Sequence, residues 1–217
     1  MGLSEMRNDS ELKTALQDCW KQIEFIYKQG RICSERHLQA EMFHVLRQHA
    51  VFEIGMYQIF IEPYIDKNNA TDNRKTFVRI VIPDMIFTKE DKIVGIMEVK
   101  YIPHHFPKFE KDFVSLSEFY KKRGSGFEVK LEVDWQTGNW SEKQFRIDEN
   151  VLLIYCVIAN WQSHIVSNPE NVKEIWTKLI GSDQSFKNCL QLSGVINRES
   201  EKTTFHSIFL DEIYKPR

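Results

Sequence analysis

Three charged residues interrupt two apolar stretches in the middle of the chain. Asp84 follows Pro83 in the first stretch, and Glu98 and Lys100 lie near the end of the second. Burying an unpaired charge costs free energy, so charged side chains in core-like segments require partners or a function. Two carboxylates and one ammonium brought together have a chemical use: the carboxylates can bind Mg²⁺, and the ammonium can offset negative charge on a phosphate.

The two apolar stretches are predicted to be strands joined by a tight polar turn. Residues 80–87 and 93–101 are rich in Ile, Val, Met and Phe, and residues 88–92 are polar. Glu98 and Lys100 are two positions apart, so they project from the same face of their strand. Proline cannot donate to a ladder and marks a bulge or an edge, so Pro83 is expected to turn Asp84 toward the neighbouring strand.

Pro83-Asp84, followed after a hairpin by Glu98-x-Lys100, resembles the PD-(D/E)xK nuclease superfamily, which has the restriction-endonuclease-like fold. The resemblance implies that Asp84 and Glu98 bind Mg²⁺ or Mn²⁺ and that Lys100 positions or activates a water molecule. It also implies that the backbone carbonyl of Val99 reaches the metal. The alternative is an ordinary same-face pair on a half-exposed strand, with Asp84 in a turn.

The same resemblance implies a glutamate on the helix before the sheet. Residues 34–49 are predicted to form this helix, capped by Ser34. Glu41 is the favoured catalytic candidate because it lies next to the apolar stripe, one residue before Met42. Glu35 is the competing candidate, although a glutamate in the first turn also complements the helix dipole.

Further helices, strands and a hairpin complete the predicted α/β fold, a mixed central β-sheet flanked by helices with an additional β-hairpin. The 217 residues are expected to form one domain, with an N-terminal helical extension in 1–33, the core in 34–160 and a C-terminal helix and strand in 161–217. The remaining predicted elements are a helix over 10–29, a strand over 55–65, a polar loop over 66–75, a helix over 108–122, a hairpin over 124–150, a parallel strand over 151–159, a helix over 170–180, a short helix or loop after 184 and a strand over 203–210.

Lysines on the helix after the Glu98-x-Lys100 strand are candidates for binding nucleic acid. Members of the superfamily often place substrate contacts on this helix, and here it carries Lys108, Lys111 and Lys122. It has no Gln, so the Gln-x-x-x-Tyr pair of the RecB-like subgroup is absent. In the hairpin, Trp135 and Trp140 are expected to pack across strands, with base stacking and dimerisation as alternatives.

Composition narrows the class of protein. The net charge of −2 argues against sequence-blind coating of nucleic acid, although a local basic groove is compatible with it. The four cysteines are far apart and include no CxxC pair, which suits a reducing cytoplasm and predicts no zinc site. No apolar run is long enough for a membrane span, so no membrane partner is expected.

The expected function is a metal-dependent nuclease that hydrolyses phosphodiester bonds through a metal-activated water, with DNA as the favoured substrate. Asp84, Glu98 and Lys100 carry the chemistry, and Glu41 assists. A catalytically inactive module of the same fold, which binds nucleic acid or protein within a larger assembly, is the alternative. An unrelated α/β protein with a chance motif is the third, and homodimerisation stays open.

Overall fold

The computed structural model describes most of the predicted core. It covers residues 3–63, 83–104, 110–124, 128–131, 139, 141, 143–160, 171, 174, 177, 188–197 and 202–209. The predicted polar loop 66–75, Lys108, Trp135 and Trp140 lie outside the described residues. Of the predicted helix 170–180, three positions are described, and all three are helical.

Four helices and seven strands are described. They are α1 Leu3–Lys28, α2 Glu35–Arg47, α3 Ala50–Glu53, β1 Gln58–Ile61, β2 Met85–Lys89, β3 Lys92–Ile102, α4 Glu110–Lys121, β4 Glu128–Val129, β5 Phe145–Asn160, β6 Cys189–Asn197 and β7 Lys202–Phe209. None of the described helices is both long and apolar enough to cross a membrane.

The strands form one mixed sheet in the order β1-β2-β3-β5-β6-β7, and β4 pairs with the beginning of β5. The β1–β2, β2–β3 and β6–β7 pairs are antiparallel, whereas β3–β5 and β5–β6 are parallel. The helix α4 connects the parallel strands β3 and β5, as a parallel connection requires. The predicted α/β fold with a mixed sheet and flanking helices is therefore confirmed.

Two apolar layers cover the sheet, because the residues of β3 alternate between its faces. Met97 and Val99 join a layer with buried residues of α1 and α2, such as Leu16 and Leu38. Ile96 and its neighbours of the same parity pack with the α4 side chains on the opposite face. Glu98 and Lys100 are two and four positions after Ile96, so their side chains project from the same face of β3, the face that α4 covers.

Three differences from the predicted elements have simple causes. Helix α1 begins at Leu3 rather than at residue 10, because residues 3–9 include neither Gly nor Pro, the two residues that disfavour a helix most. The segment 189–197, predicted as a helix or loop, is the strand β6, which pairs with β5 and β7. The return of the hairpin and the following apolar run form one continuous strand, β5, whose first residues pair with β4.

The start of α2 is fixed by Ser34, as predicted. Its side chain accepts a hydrogen bond from the backbone N–H of His37 at 3.2 Å and satisfies a donor that the first helical turn leaves free. Upstream, α1 ends at Lys28. Gly30 then has a positive φ of 73°, so the Arg31 N–H can bond the carbonyl of Ile26 at 3.4 Å while the Gly30 N–H bonds that of Tyr27 at 2.8 Å. The short connection between α1 and α2 is thus held at both ends.

Replacing the cap tests this account. We expect Ser34→Ala to lower the free energy of unfolding by about 1 kcal/mol, which corresponds to about 2–4 °C in Tm for a chain of this size. Ser34→Asp keeps an acceptor and should retain the wild-type Tm within about 1 °C. Thermal unfolding followed by circular dichroism measures both, and an equal loss in the two variants would contradict the capping role.

Candidate active site

Asp84 immediately precedes β2, next to the end of β3, and two donors fix its carboxylate. Oδ2 accepts a hydrogen bond from the backbone N–H of Val99 at 2.6 Å, and Oδ1 accepts one from Nε2 of Gln39 at 2.7 Å. The β2–β3 pairing ends at Met85 and Met97. Beyond it, the Val99 N–H donates to the side chain of Asp84 rather than to a backbone carbonyl of the neighbouring segment, and this donor is therefore satisfied.

Glu98 is buried beside Asp84. Only 4% of its surface is exposed, and Oε1 accepts a hydrogen bond from the Ser115 hydroxyl of α4 at 2.8 Å. The carboxyl groups of Glu98 and Asp84 are close enough to interact: the Asp84 charge raises the pKa of Glu98, and hydrogen bonding with Glu98 lowers that of Asp84. The structure therefore brings together the two carboxyl groups that the sequence paired, as a chance motif would not require.

Lys100 lies near the carboxyl end of β3 and joins this cluster, where helices from both faces of the sheet contact it. Its Nζ lies 3.2 Å from Oε1 of Glu35 at the start of α2 and 3.6 Å from Oδ1 of Asp112 near the start of α4. The exposed fraction of the side chains falls from 39% for Glu35 to 21% for Lys100 and 10% for Asp112. The cluster therefore opens to solvent on the side of Glu35.

Glu41, the favoured helix carboxylate, lies elsewhere. Its Oε1 forms an ion pair with Arg31 at 2.7 Å, and it is not among the charges that act on Asp84 or Lys100. An α-helix turns by about 100° per residue, so Glu41 is about 120° around α2 from Glu35. Gln39 and Glu35 are four residues apart and share one face, so the carboxylate that α2 contributes to the cluster is that of Glu35.

Burial and the neighbouring charges shift the pKa values of the ionisable groups in the cluster. Burial, followed by the nearby Asp84 charge, raises the pKa of Glu98 to about 9. Burial also raises the pKa of Asp84, although the Val99 N–H and Lys100 oppose this, and it raises that of Asp112 to about 6. Burial alone would lower the pKa of Lys100, but Asp112, Glu35 and Asp84 together raise it, and the ammonium stays protonated.

Two buried polar atoms in the wall of the cluster have no hydrogen-bond partner among the described residues. One is Oδ2 of Asp112 and the other is the hydroxyl of Tyr155, which pairs with Glu98 across the β3–β5 ladder. Burial raises the pKa of Tyr155, and the nearby Asp112 charge raises it further. A buried polar atom without a hydrogen-bond partner costs free energy, so each of these two atoms requires an explanation.

The lysines predicted to contact nucleic acid take different positions. Lys111 is exposed and immediately precedes Asp112, which places it at the end of α4 nearest the cluster. Lys122 is partly buried and lies just beyond the other end of the helix, about 16 Å away at 1.5 Å per residue. Lys108 is outside the described residues.

The residues fit a divalent cation of the magnesium type. No three His, Cys, Asp or Glu side chains in the described part of the chain form a complete set of metal ligands. Mg²⁺, however, retains several waters and is usually bound through one or two carboxylates. Asp84 and Glu98 supply two neighbouring carboxyl groups whose repulsion a cation would relieve, and Val99, whose carbonyl is the third predicted ligand, already binds Asp84 through its N–H.

Three residues of the cluster were missed in the sequence. Gln39, Asp112 and Ser115 are polar, yet they are 6%, 7% and 0% exposed. Each interrupts the apolar face of an amphipathic helix, and Asp112 and Ser115 share one face of α4 at a spacing of three residues. Polar residues within the apolar face of a helix were the feature of the sequence that could have identified them.

Comparison of the chain with family models, curated proteins and solved structures finds no match.

Removing the ionisable carboxyl group of Glu98 from the cluster should stabilise the protein when no metal is present. Glu98 has an ordinary pKa of 4.5 and a folded pKa of about 9, so the unfolded chain loses this proton first and the free energy of unfolding falls as pH rises between these values. We expect Glu98→Gln to raise Tm in chelator, with a gain that grows from about pH 5 to about pH 9.

Glu118→Gln is the matched control, because Glu118 is an exposed residue of the same helix α4 that carries Ser115 and its side chain is 42% exposed. Its Tm should follow the wild type at every pH. A gain for Glu98→Gln that is independent of pH, or a loss, would contradict the charge crowding described for the cluster.

Proposed function

We propose that the protein is a metal-dependent nuclease of the PD-(D/E)xK type that hydrolyses phosphodiester bonds, with DNA as the favoured substrate. The observation that carries the proposal is the convergence of Asp84, bonded to the Val99 N–H, and Glu98, bonded to Ser115, beside the Lys100 ammonium, which Glu35 and Asp112 hold. Four carboxyl groups, those of Glu35, Asp84, Glu98 and Asp112, share this one ammonium. A purely structural cluster would pair its charges, whereas a site for a cation leaves negative charge in excess.

Asp84 and Glu98 are the residues that would hold Mg²⁺ or Mn²⁺, together with the Val99 carbonyl. When bound, the metal supplies Lewis-acid stabilisation of charge on the phosphate and lowers the pKa of a coordinated water. The hydrogen bonds from Gln39 and Ser115 keep the two carboxylates oriented, in the way that outer partners orient metal ligands.

Lys100 acts in this proposal as a fixed cation. Its neighbours raise its pKa, so at neutral pH it has a proton to donate and no lone pair with which to accept one. It can hold the attacking water or offset negative charge as it develops on the phosphate. Glu35 and Asp112 fix the ammonium from α2 and α4, which restricts it to one side of the Glu98 carboxylate.

The phosphate has access from the solvent side of the cluster, next to Glu35. Lys111 at the near end of α4 is a suitable contact for the neighbouring backbone of the substrate. Four cysteines without a disulfide among the described residues are compatible with the cytoplasmic location included in the proposal.

Metal binding tests the first step of the proposal. We expect Mn²⁺ at about 100 times its Kd to stabilise the wild type by about 2.7 kcal/mol, seen as a rise in Tm. Asp84→Asn should abolish the rise, and Lys100→Ala should retain it, because the ammonium repels a cation. Equal rises in wild type and Asp84→Asn would contradict the assignment of this metal site.

Cleavage tests the second step. On pooled linear, circular and single-stranded DNA and RNA, Asp84→Asn and Lys100→Ala should each cut at least about 100-fold more slowly than wild type. Metal-dependent stabilisation with no cleavage of any substrate would contradict the nuclease and favour the alternative, a binding module with the same fold.

The two glutamates of α2 provide a matched pair for the same assay. Glu35→Gln removes a contact of Lys100 and should lower kcat by about tenfold or more. Glu41→Gln removes only the exposed ion pair with Arg31 and should cleave like the wild type. The opposite ranking of the two variants would show that Glu41 is the assisting carboxylate.

A further inference from the structure

A cleft of about 610 Å³ lies at the carboxyl end of β3, on the face of the sheet that α1 covers. Its volume is within the range of about 300–1,000 Å³ that small-molecule sites occupy. The described residues that line it are Tyr27, Lys28, Gly30, Ile32, Tyr101, Thr203 and Thr204. The nuclease proposal uses none of them.

The chain places this cleft next to the candidate active site. Tyr101 directly follows Lys100, so their Cα atoms are about 3.8 Å apart and their side chains project from opposite faces of β3. Gly30 and Ile32 belong to the short connection that leads into Glu35, the residue that contacts Lys100. Ligands of open α/β sheets bind at this carboxyl edge of the parallel strands.

The two tyrosine rings of the cleft are held in place. The Tyr101 hydroxyl donates to the backbone carbonyl of Ile32 at 3.3 Å. The Tyr27 ring lies against Phe205 with a centroid distance of 5.7 Å, and its hydroxyl bonds with Thr203. Rings that are already ordered lose little conformational freedom when a planar ligand packs against them.

The lining favours a planar, largely uncharged ligand over a free anion. Lys28 is the only cation among the described lining residues, and its Nζ already forms an ion pair with Glu24 at 2.6 Å. The hydroxyls of Thr203 and Thr204 offer hydrogen bonds, and the phenol rings offer apolar surface. Aromatic faces beside hydroxyls suit a nucleobase, because every base has a π-face that stacks regardless of sequence.

We propose that this cleft binds a base of the substrate strand, close to the phosphate held at Lys100. The proposal rests on the nuclease function and adds a site for an unpaired nucleotide, packed against Tyr27 and Tyr101. A strand that occupies it must have unstacked that base, so single-stranded or locally opened nucleic acid is the preferred substrate.

Binding of a short fluorescein-labelled oligothymidylate, followed by fluorescence anisotropy in chelator, tests the cleft without cleavage. We expect Tyr27→Leu and Tyr101→Leu each to weaken binding about fivefold to a hundredfold. Tyr27→Phe and Tyr101→Phe keep the rings and should bind within about threefold of wild type. Phe25→Leu is the matched control on α1, because Phe25 is 64% exposed and does not line the cleft.

An oligonucleotide with one abasic position, moved along the strand, identifies the base concerned. One position should weaken binding to wild type and have no further effect on Tyr101→Leu, since that variant has already lost the contact. Circular dichroism of every variant establishes that it is folded. If neither Leu variant is folded, the abasic series with the wild type decides the outcome: equal binding with the abasic position at every place along the strand overturns the cleft.

The outcomes separate the two proposals. Equal binding by wild type, the Tyr→Leu variants and Phe25→Leu overturns the cleft, even if wild type cleaves DNA as proposed. Loss of binding confined to the Tyr→Leu variants supports the cleft, even if no substrate is cleaved. If wild type binds no oligonucleotide, the cleft proposal is overturned as well.

Discussion

An excess of buried negative charge is the constraint on which the site depends. Four carboxyl groups surround the ammonium of Lys100, and the deepest of them, Glu98, is 4% exposed. Burying carboxylates without enough partners costs free energy, so the protein tolerates the cluster only where the surrounding elements fix it. This cost raises the pKa values of Asp84, Glu98 and Asp112, so each carboxyl group retains its proton to a higher pH than an exposed one does.

The elements that fix the cluster come from both layers of the fold. On the sheet, the β2–β3 ladder ends at Met85 and Met97, and just beyond it the Asp84 carboxylate accepts the hydrogen bond of the Val99 N–H. Helix α2 contributes Gln39, which bonds Asp84, and Glu35, which contacts Lys100. The Ser34 cap fixes where this helix begins. Helix α4 reaches the cluster from the other face. A site at the end of a strand can include side chains from helices on both faces of the sheet, whereas a site in the middle of one face cannot.

The sequence was informative where local rules act and less so where packing decides. Prolines, apolar runs and a period of two predicted the paired strands β2 and β3 and placed Glu98 and Lys100 on one face. The strand β6 was missed because Gly194 and several polar residues interrupt its apolar pattern, although Gln191 and Ser193 are buried in the sheet. For α2, the choice between Glu35 and Glu41 depended on which face meets the sheet edge. The apolar stripe alone defines that direction too broadly to separate two carboxylates on either side of it.

The raised pKa of Lys100 also constrains the chemistry that the cluster can perform. A lysine that serves as a general base needs a lowered pKa, which burial beside other cations produces. Here Asp112 and Glu35 reverse the effect of burial, so the same contacts that position the ammonium keep it charged. In the proposed nuclease reaction, deprotonation of the attacking water would then be assisted from the side of Asp84 and Glu98. The proposal thus assigns two tasks to the cluster: the carboxylates would hold the cation and accept a proton, and the lysine would provide a fixed positive charge next to the phosphate.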